Sequence, residues 1–152
     1  MIAEGTVITR LLIGTGLGYS VGFERALRGS VAGDRAFSLV GAASAGITAV
    51  AFKQSPQTVA GVVTGIGFIG AGVVVHGQST LIRGITTAAT VFATAAIGIL
   101  VGTGAPVAGV VLTALCLLVL EIRHLPFLKV IDSQHYVGRF KQEGDEPNDP
   151  ED

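Results

Sequence analysis

The residues able to do chemistry are few, and their positions restrict what they can do. Between Asp34 and Glu121 the chain carries no Asp or Glu at all. The histidines, His76, His124 and His135, fall in loops or the tail, where lone imidazoles are ordinarily solvated, and no serine has the surroundings of a nucleophile elbow. With no nucleophile placed beside a base, the chain is not expected to be an enzyme. Cys116 is the only cysteine, which excludes an intrachain disulfide and a cysteine-based metal site and leaves packing as its role.

A motif of another kind is Gly65-Ile66-Gly67-Phe68-Ile69-Gly70, which has the form of a dinucleotide-binding turn. That turn needs a strand before it, a helix after it and an acidic residue about 20 positions on to hold the ribose. The acidic residue is missing. The motif lies instead within Val59 to Val75, 17 residues without a charge, just enough for a helix to cross a bilayer. In lipid, Gly65, Gly67, Gly70 and Gly72 let neighbouring backbones approach closely, so helix packing is their expected role. Gly14, Gly18 and Gly22 recur every fourth residue in the first apolar segment and form a similar face.

The composition agrees with a membrane protein. The 152 residues are 49% hydrophobic and 14% charged, whereas about 25% charged is usual in a soluble domain. The net charge of −1 conceals an acidic tail, since six of the last ten residues are Asp or Glu. The basic residues are scattered among apolar segments without stacking aromatics, so nucleic acid is not an expected partner and the lipid bilayer is. Met1 to Arg10 holds Glu4 and lacks the basic lead-in of a cleaved signal, so the first span is expected to stay as an anchor.

The expected fold is all-α, an integral membrane bundle of five transmembrane helices over about 7–23, 36–52, 59–75, 84–102 and 105–121, in a membrane domain 1–124. Asp34 is placed to cap the second helix. His76 to Arg83 reads as a short polar loop. Intramembrane polar groups are Thr64 in the third helix and Thr86, Thr87, Thr90 and Thr94 in the fourth, where Thr86, Thr90 and Thr94 align. They can act as packing glue or line a solute path. Residues 125–142 admit an interfacial helix or a short strand. The proline-broken acidic stretch 143–152 is expected to be disordered.

Orientation follows from the basic residues. Arg25, Arg28, Arg35, Arg83, Arg123, Lys129, Arg139 and Lys141 fall on one side of the five spans, and only Arg10 and Lys53 on the other. The side rich in Lys and Arg faces the cytoplasm, which puts the N-terminus outside and the C-terminus inside.

Three segments together resemble the MgtC/SapB family: Gly22-Phe23-Glu24-Arg25, Val63-Thr64-Gly65-Ile66-Gly67-Phe68-Ile69-Gly70-Ala71-Gly72, and Arg83-Gly84-Ile85-Thr86-Thr87-Ala88-Ala89-Thr90. The similarity covers roughly residues 7 to 122. It implies a multi-pass protein of the bacterial inner membrane, linked to growth or virulence under low magnesium, often called a magnesium transporter and associated with restraint of the F-type ATP synthase. Many members continue into an ACT-like domain. This chain has too few residues after its last span for one, so such regulation is expected to be absent or to come from another chain.

Magnesium prefers one or two carboxylates plus retained waters. Only Glu24, Asp34 and Glu121 lie near a span, all at the cytoplasmic face. No cofactor is expected, and Mg2+ is the one ion to consider. The leading expectation is a regulator that docks on another membrane protein through glycine faces, with self-association open. A cation transporter or channel subunit and a purely structural partner are the alternatives. The charges Glu24, Arg25, Asp34, Arg35, Arg83 and Glu121 are either solvated flanks or a functional centre in which Glu24 is buried against Arg83 or Arg35. For the topology, a reporter active only in the cytoplasm should be active when fused after Lys141 and silent when inserted at Gln54. The opposite pattern would remove the placement of every charged residue.

Overall fold

A computed structural model of the chain describes residues 3–76 and 82–121, excluding the side chains of residues 75, 76, 82 and 83. The segments 125–142 and 143–152, with His124 and His135, lie outside the described residues. Five helices follow in order: α1 (Glu4–Leu27), α2 (Asp34–Ala51), α3 (Gln57–Val73), α4 (Ile85–Thr103) and α5 (Pro106–Glu121). Between α3 and α4, where the sequence pattern suggests only a polar loop, two-residue strands β1 (Val75–His76) and β2 (Ile82–Arg83) pair antiparallel, with Val75 opposite Arg83. The chain divides into two compact units, 1–117 and 118–152, and of the second only residues 118–121 are described. The packing below is that of the first unit.

Helix α1 is longer than the apolar segment that announces it, because Glu24, Arg25, Ala26 and Leu27 continue it instead of forming a turn. Asp34 is not the cap of α2. Gly33 holds that position, and Asp34 opens the helix, with its Oδ1 accepting the Arg35 backbone N–H at 2.9 Å. One donor of the first turn is met in this way, in the place where a negative charge suits the helix dipole.

The glycine-rich face of α1 lies directly on the backbone of α2. A Cβ at Gly14 would stand 2.7 Å from the Gly41 carbonyl oxygen, one at Gly18 would run into the Phe37 carbonyl, and one at Gly22 would stand 2.7 Å from the Asp34 Cα. Numbers rise along α1 as they fall along α2, so the two helices are antiparallel. Helix α4 meets α2 in the same manner: a Cβ at Gly98 would stand 2.7 Å from the Gly41 carbonyl oxygen, and one at Gly102 would stand 2.6 Å from the Ala45 carbonyl oxygen. Here the numbers rise together and the helices are parallel. Val21, Phe37, Val91, Ala95 and Ile97 form the apolar centre, with Leu17, Leu112 and Cys116 packed against it.

Helix α3 behaves differently. It enters the core through Ile66 and Val62, and a Cβ at Gly65, Gly67 or Gly72 would meet no atom within 4 Å. Gly70 makes only ordinary contact, 3.7 Å from the Ala88 Cβ. The close helix contact expected at these glycines is therefore not made among the described residues, because the Ile66 side of α3, not the side of Gly65 and Gly72, turns inward. Both ends of α4 are set by left-handed glycines, Gly84 at φ 91° and Gly104 at φ 99°. A side chain at Gly84 would also strike the Val73 carbonyl, so this site needs glycine twice over.

Among the described residues, α4 is the one helix both long and apolar enough to cross a membrane by length and composition; α3 and α5 are apolar but shorter. The 24-residue α1 and 18-residue α2 are long enough but are diluted by charges and small residues. Replacing Gly18 by Val should lower the melting midpoint in detergent sharply, by overpacking of about 1–3 kcal/mol or more. Gly65→Val should melt within about 0.5 kcal/mol of the parent. Equal loss at the two positions would contradict the packing described.

Candidate functional site

Glu24, Leu17 and Arg10 are spaced seven apart on α1 and so lie on one stripe. The stripe is apolar in the middle, where Leu17 and Val21 face the core, and charged at both ends. At the C-terminal end of α1 Glu24 is 8% exposed. Its Oε1 accepts the Arg25 Nη2–H at 2.7 Å and its Oε2 accepts Arg25 Nε–H, a two-pronged pairing between chain neighbours. Arg28 Nε lies 3.5 Å from Oε1, one turn on. Among the described residues the cluster brings together the Glu24 carboxylate and the Arg25 and Arg28 guanidiniums, and Cys116 sits within electrostatic range of Glu24 and Arg25.

Glu24 is buried, as the sharper of the two expectations holds, but its partners are Arg25 and Arg28 on its own helix, not Arg35, which is exposed. The Arg83 side chain lies outside the described residues. Arg25 folds back along the helix end, where a solvated flank would have let it extend into water. Asp34 uses its carboxylate on the Arg35 backbone, as above, and Glu121 closes α5. Of the six charges, the described side chains bring Glu24 and Arg25 into direct contact.

At the same end, the Ser30 and Thr87 hydroxyls are 2.9 Å apart, tying the α1–α2 connection to the first turn of α4. Thr87, Thr90 and Thr94 are buried, whereas Thr86 lies at the exposed margin because a straight helix drifts by about 40° every four residues. Thr90 donates to the Thr86 carbonyl at 2.6 Å and Thr94 to the Thr90 carbonyl at 2.9 Å. Thr64, exposed on α3, likewise bonds back to Ala60. These bonds use the hydroxyl protons and tie each side chain to its own helix, which agrees with a packing role, while the oxygen lone pairs stay available.

At the opposite end is a residue whose structural role sequence reasoning missed. Arg10 Nη1 donates to the Gly102 carbonyl at 2.7 Å, closing the end of α4 together with the Ala105 N–H, which bonds the Leu100 carbonyl at 2.9 Å. A cation suits that negative helix end. The seven-residue spacing of Arg10, Leu17 and Glu24 was the available signal.

Magnesium fits these side chains poorly. Both oxygens of Glu24 are occupied by guanidinium, and among the described residues no three His, Cys, Asp or Glu are grouped as a metal's ligands would be. The cluster instead acts as a rigid charged lock on the end of α1. Removing one partner of such a buried pair costs about 3–5 kcal/mol, because the other charge is stranded. Glu24→Gln and Arg25→Gln should each lose stability on that scale in detergent melts, and the double variant should be no worse than either. Near-neutral single variants would mean that water solvates the cluster.

The chain matches the model of the MgtC family over residues 11–125. YhiD of Escherichia coli K12, whose name describes it as a candidate magnesium transporter, is 35% identical over 144 residues, covering 86% of this chain and 66% of YhiD. The MgtC protein of Brucella abortus is 42% identical over 95 residues, 58% of this chain and 39% of that protein. The MgtC protein of Salmonella typhimurium is 39% identical over 101 residues, 64% of this chain and 43% of that protein. The chain thus spans less than two thirds of the length of these relatives, and no solved structure matches it. With a match that runs from within α1 to beyond the end of α5, the chain belongs to the MgtC family.

Proposed function

We propose that this chain is a five-span protein of the bacterial inner membrane, N-terminus outside, that serves magnesium homeostasis as a regulator by docking on another membrane complex, the F-type ATP synthase being the first to test. The membrane placement is supported by an inverted distribution of side chains. Leu12, Leu39, Phe68 and Val107 are each at least 68% exposed, on four different helices, while Glu24, Ser44, Thr48 and Thr94 are buried. In water such an apolar exterior would be an aggregation surface; in lipid it is the expected one.

The observation that carries docking is the outer face of α3. Gly61, Gly65 and Gly72 have open space before them, and Phe68 projects between them at 84% exposure. Beside this face runs an apolar groove of about 590 Å³ between α2 and α3. Small residues on a lipid-facing helix permit a second helix to approach closely, and that is the contact a docking regulator needs.

The second reading, a magnesium or cation transporter subunit, draws on one feature. The Thr48 hydroxyl is fully buried and has no hydrogen-bond partner among the described residues, unlike Thr90 and Thr94. It also agrees with the name of the Escherichia coli relative.

The two readings separate in purified and native membranes. A photocrosslinker at Phe68 should yield adducts with a membrane subunit of the ATP synthase in cells, and Gly65→Leu should abolish docking without changing the melt. Liposomes containing the protein should admit Mg2+ no faster than empty ones. Mg2+ entry that disappears in Thr48→Val would establish the transporter instead.

A further inference from the structure

The outer end of the bundle holds a cavity of about 290 Å³, lined by Thr6, Thr9, Arg10 and Ile13 of α1 and by Val101, Gly104 and Pro106. Its polarity is graded. Thr6, Thr9, Arg10 and Gly104 surround the mouth, and Ile13 and Val101 lie about one turn deeper along their helices. Arg10 gives one N–H to the Gly102 carbonyl and has no carboxylate within ion-pair distance among the described residues. The Thr6 hydroxyl has no partner among them either, and Thr9 donates to the Gly5 carbonyl. Gly104 is part of the site: a Cβ there would lie 2.9 Å from Arg10 Nη2, so glycine leaves the guanidinium its room.

The depth of this mouth is fixed by α4. Its 19 residues extend about 28 Å at 1.5 Å per residue, close to the hydrocarbon thickness of about 30 Å. Arg10, bonded to the last turn of α4, therefore stands at one boundary of the hydrocarbon, where lipid phosphates are found. A guanidinium is suited to two-pronged pairing with a phosphate. The apolar floor has no use for a free inorganic ion but suits a glycerol ester and the beginning of a chain.

We propose that this cavity is a phospholipid site, in which the Arg10 guanidinium and Thr6 hydroxyl hold the phosphate diester of an anionic lipid and Ile13 and Val101 take the start of its acyl chain. The site rests on the membrane placement above and not on docking. The delipidated protein is titrated in detergent with phosphatidylglycerol, with diacylglycerol of the same chains, and with inorganic phosphate, and is read by native mass spectrometry and melting temperature. Phosphatidylglycerol should remain bound and raise the melt by several degrees, and the other two should do neither. Arg10→Gln should weaken retention at least tenfold.

Because Arg10 also closes α4, Thr6→Leu is the second variant. It fills the mouth, leaves the Arg10–Gly102 bond in place, and should lose lipid tenfold with an unchanged lipid-free melt. If Arg10→Gln does not fold, Thr6→Leu alone decides. Equal retention of diacylglycerol, an equal shift from inorganic phosphate, or parental binding by Thr6→Leu would each overturn the site. Release of the protein from vesicles by alkaline carbonate would overturn the membrane placement instead, so the two failures are distinguishable.

Discussion

Backbone meets backbone at Gly41, and the rest of the bundle is arranged around that contact. Its carbonyl is approached by Gly14 from α1 and by Gly98 from α4. Apolar helices in lipid gain nothing from hydrophobic burial against one another, so their association depends on how many atoms reach van der Waals distance. Glycines on all three helices bring the main chains together and multiply those contacts. A single methyl at Gly18 or Gly98 would hold the helices apart and lose them along the whole seam.

With the centre held by small residues, polar groups survive inside because most are satisfied locally. Thr90, Thr94 and Thr113 each bond back to their own helix. Glu24 keeps its guanidinium partners beside it on the same helix, so the charged lock at the end of α1 does not depend on the exact placement of a distant element. Arg10 does the reverse, reaching across 92 positions of sequence to the end of α4. The two charges are about 21 Å apart along α1, 14 residues at 1.5 Å each. Together they limit how far α1 can slide along its own axis against its neighbours.

Helix α3 stands apart from this arrangement. Ile66 is its one buried residue among those described, and Gly61, Gly65, Gly67 and Gly72 meet no neighbour among the described residues. An element with few buried contacts is the one most readily repositioned when a partner binds. Tight packing of α1, α2 and α4 with a lightly held α3 gives a scaffold plus a more loosely held helix, which is why the docking proposed above is placed on α3 and not on the structural charges.

Some of this was legible in the sequence because it depends on local pattern. Apolar runs and their polar breaks located all five helices to within a few residues, and the four-residue repeat of Gly14, Gly18 and Gly22 identified a packing face before any partner was known. Spacing along one helix cannot say which face turns inward when two faces are equally bare, so Gly65 and Gly72 looked no less suited to a buried seam than Gly18. Only the tertiary structure placed Ile66 inside and the α3 glycines outside. Nor could charge counting distinguish a residue that flanks a span from one that closes another helix. Arg10 counted only toward topology until the fold brought Gly102 within 2.7 Å of it. The span expected at 7–23 stopped short of Glu24 and Arg25 because adjacent charges usually leave a helix for water. Burial of their mutual pairing, which is set by packing and not by sequence distance, kept them in it.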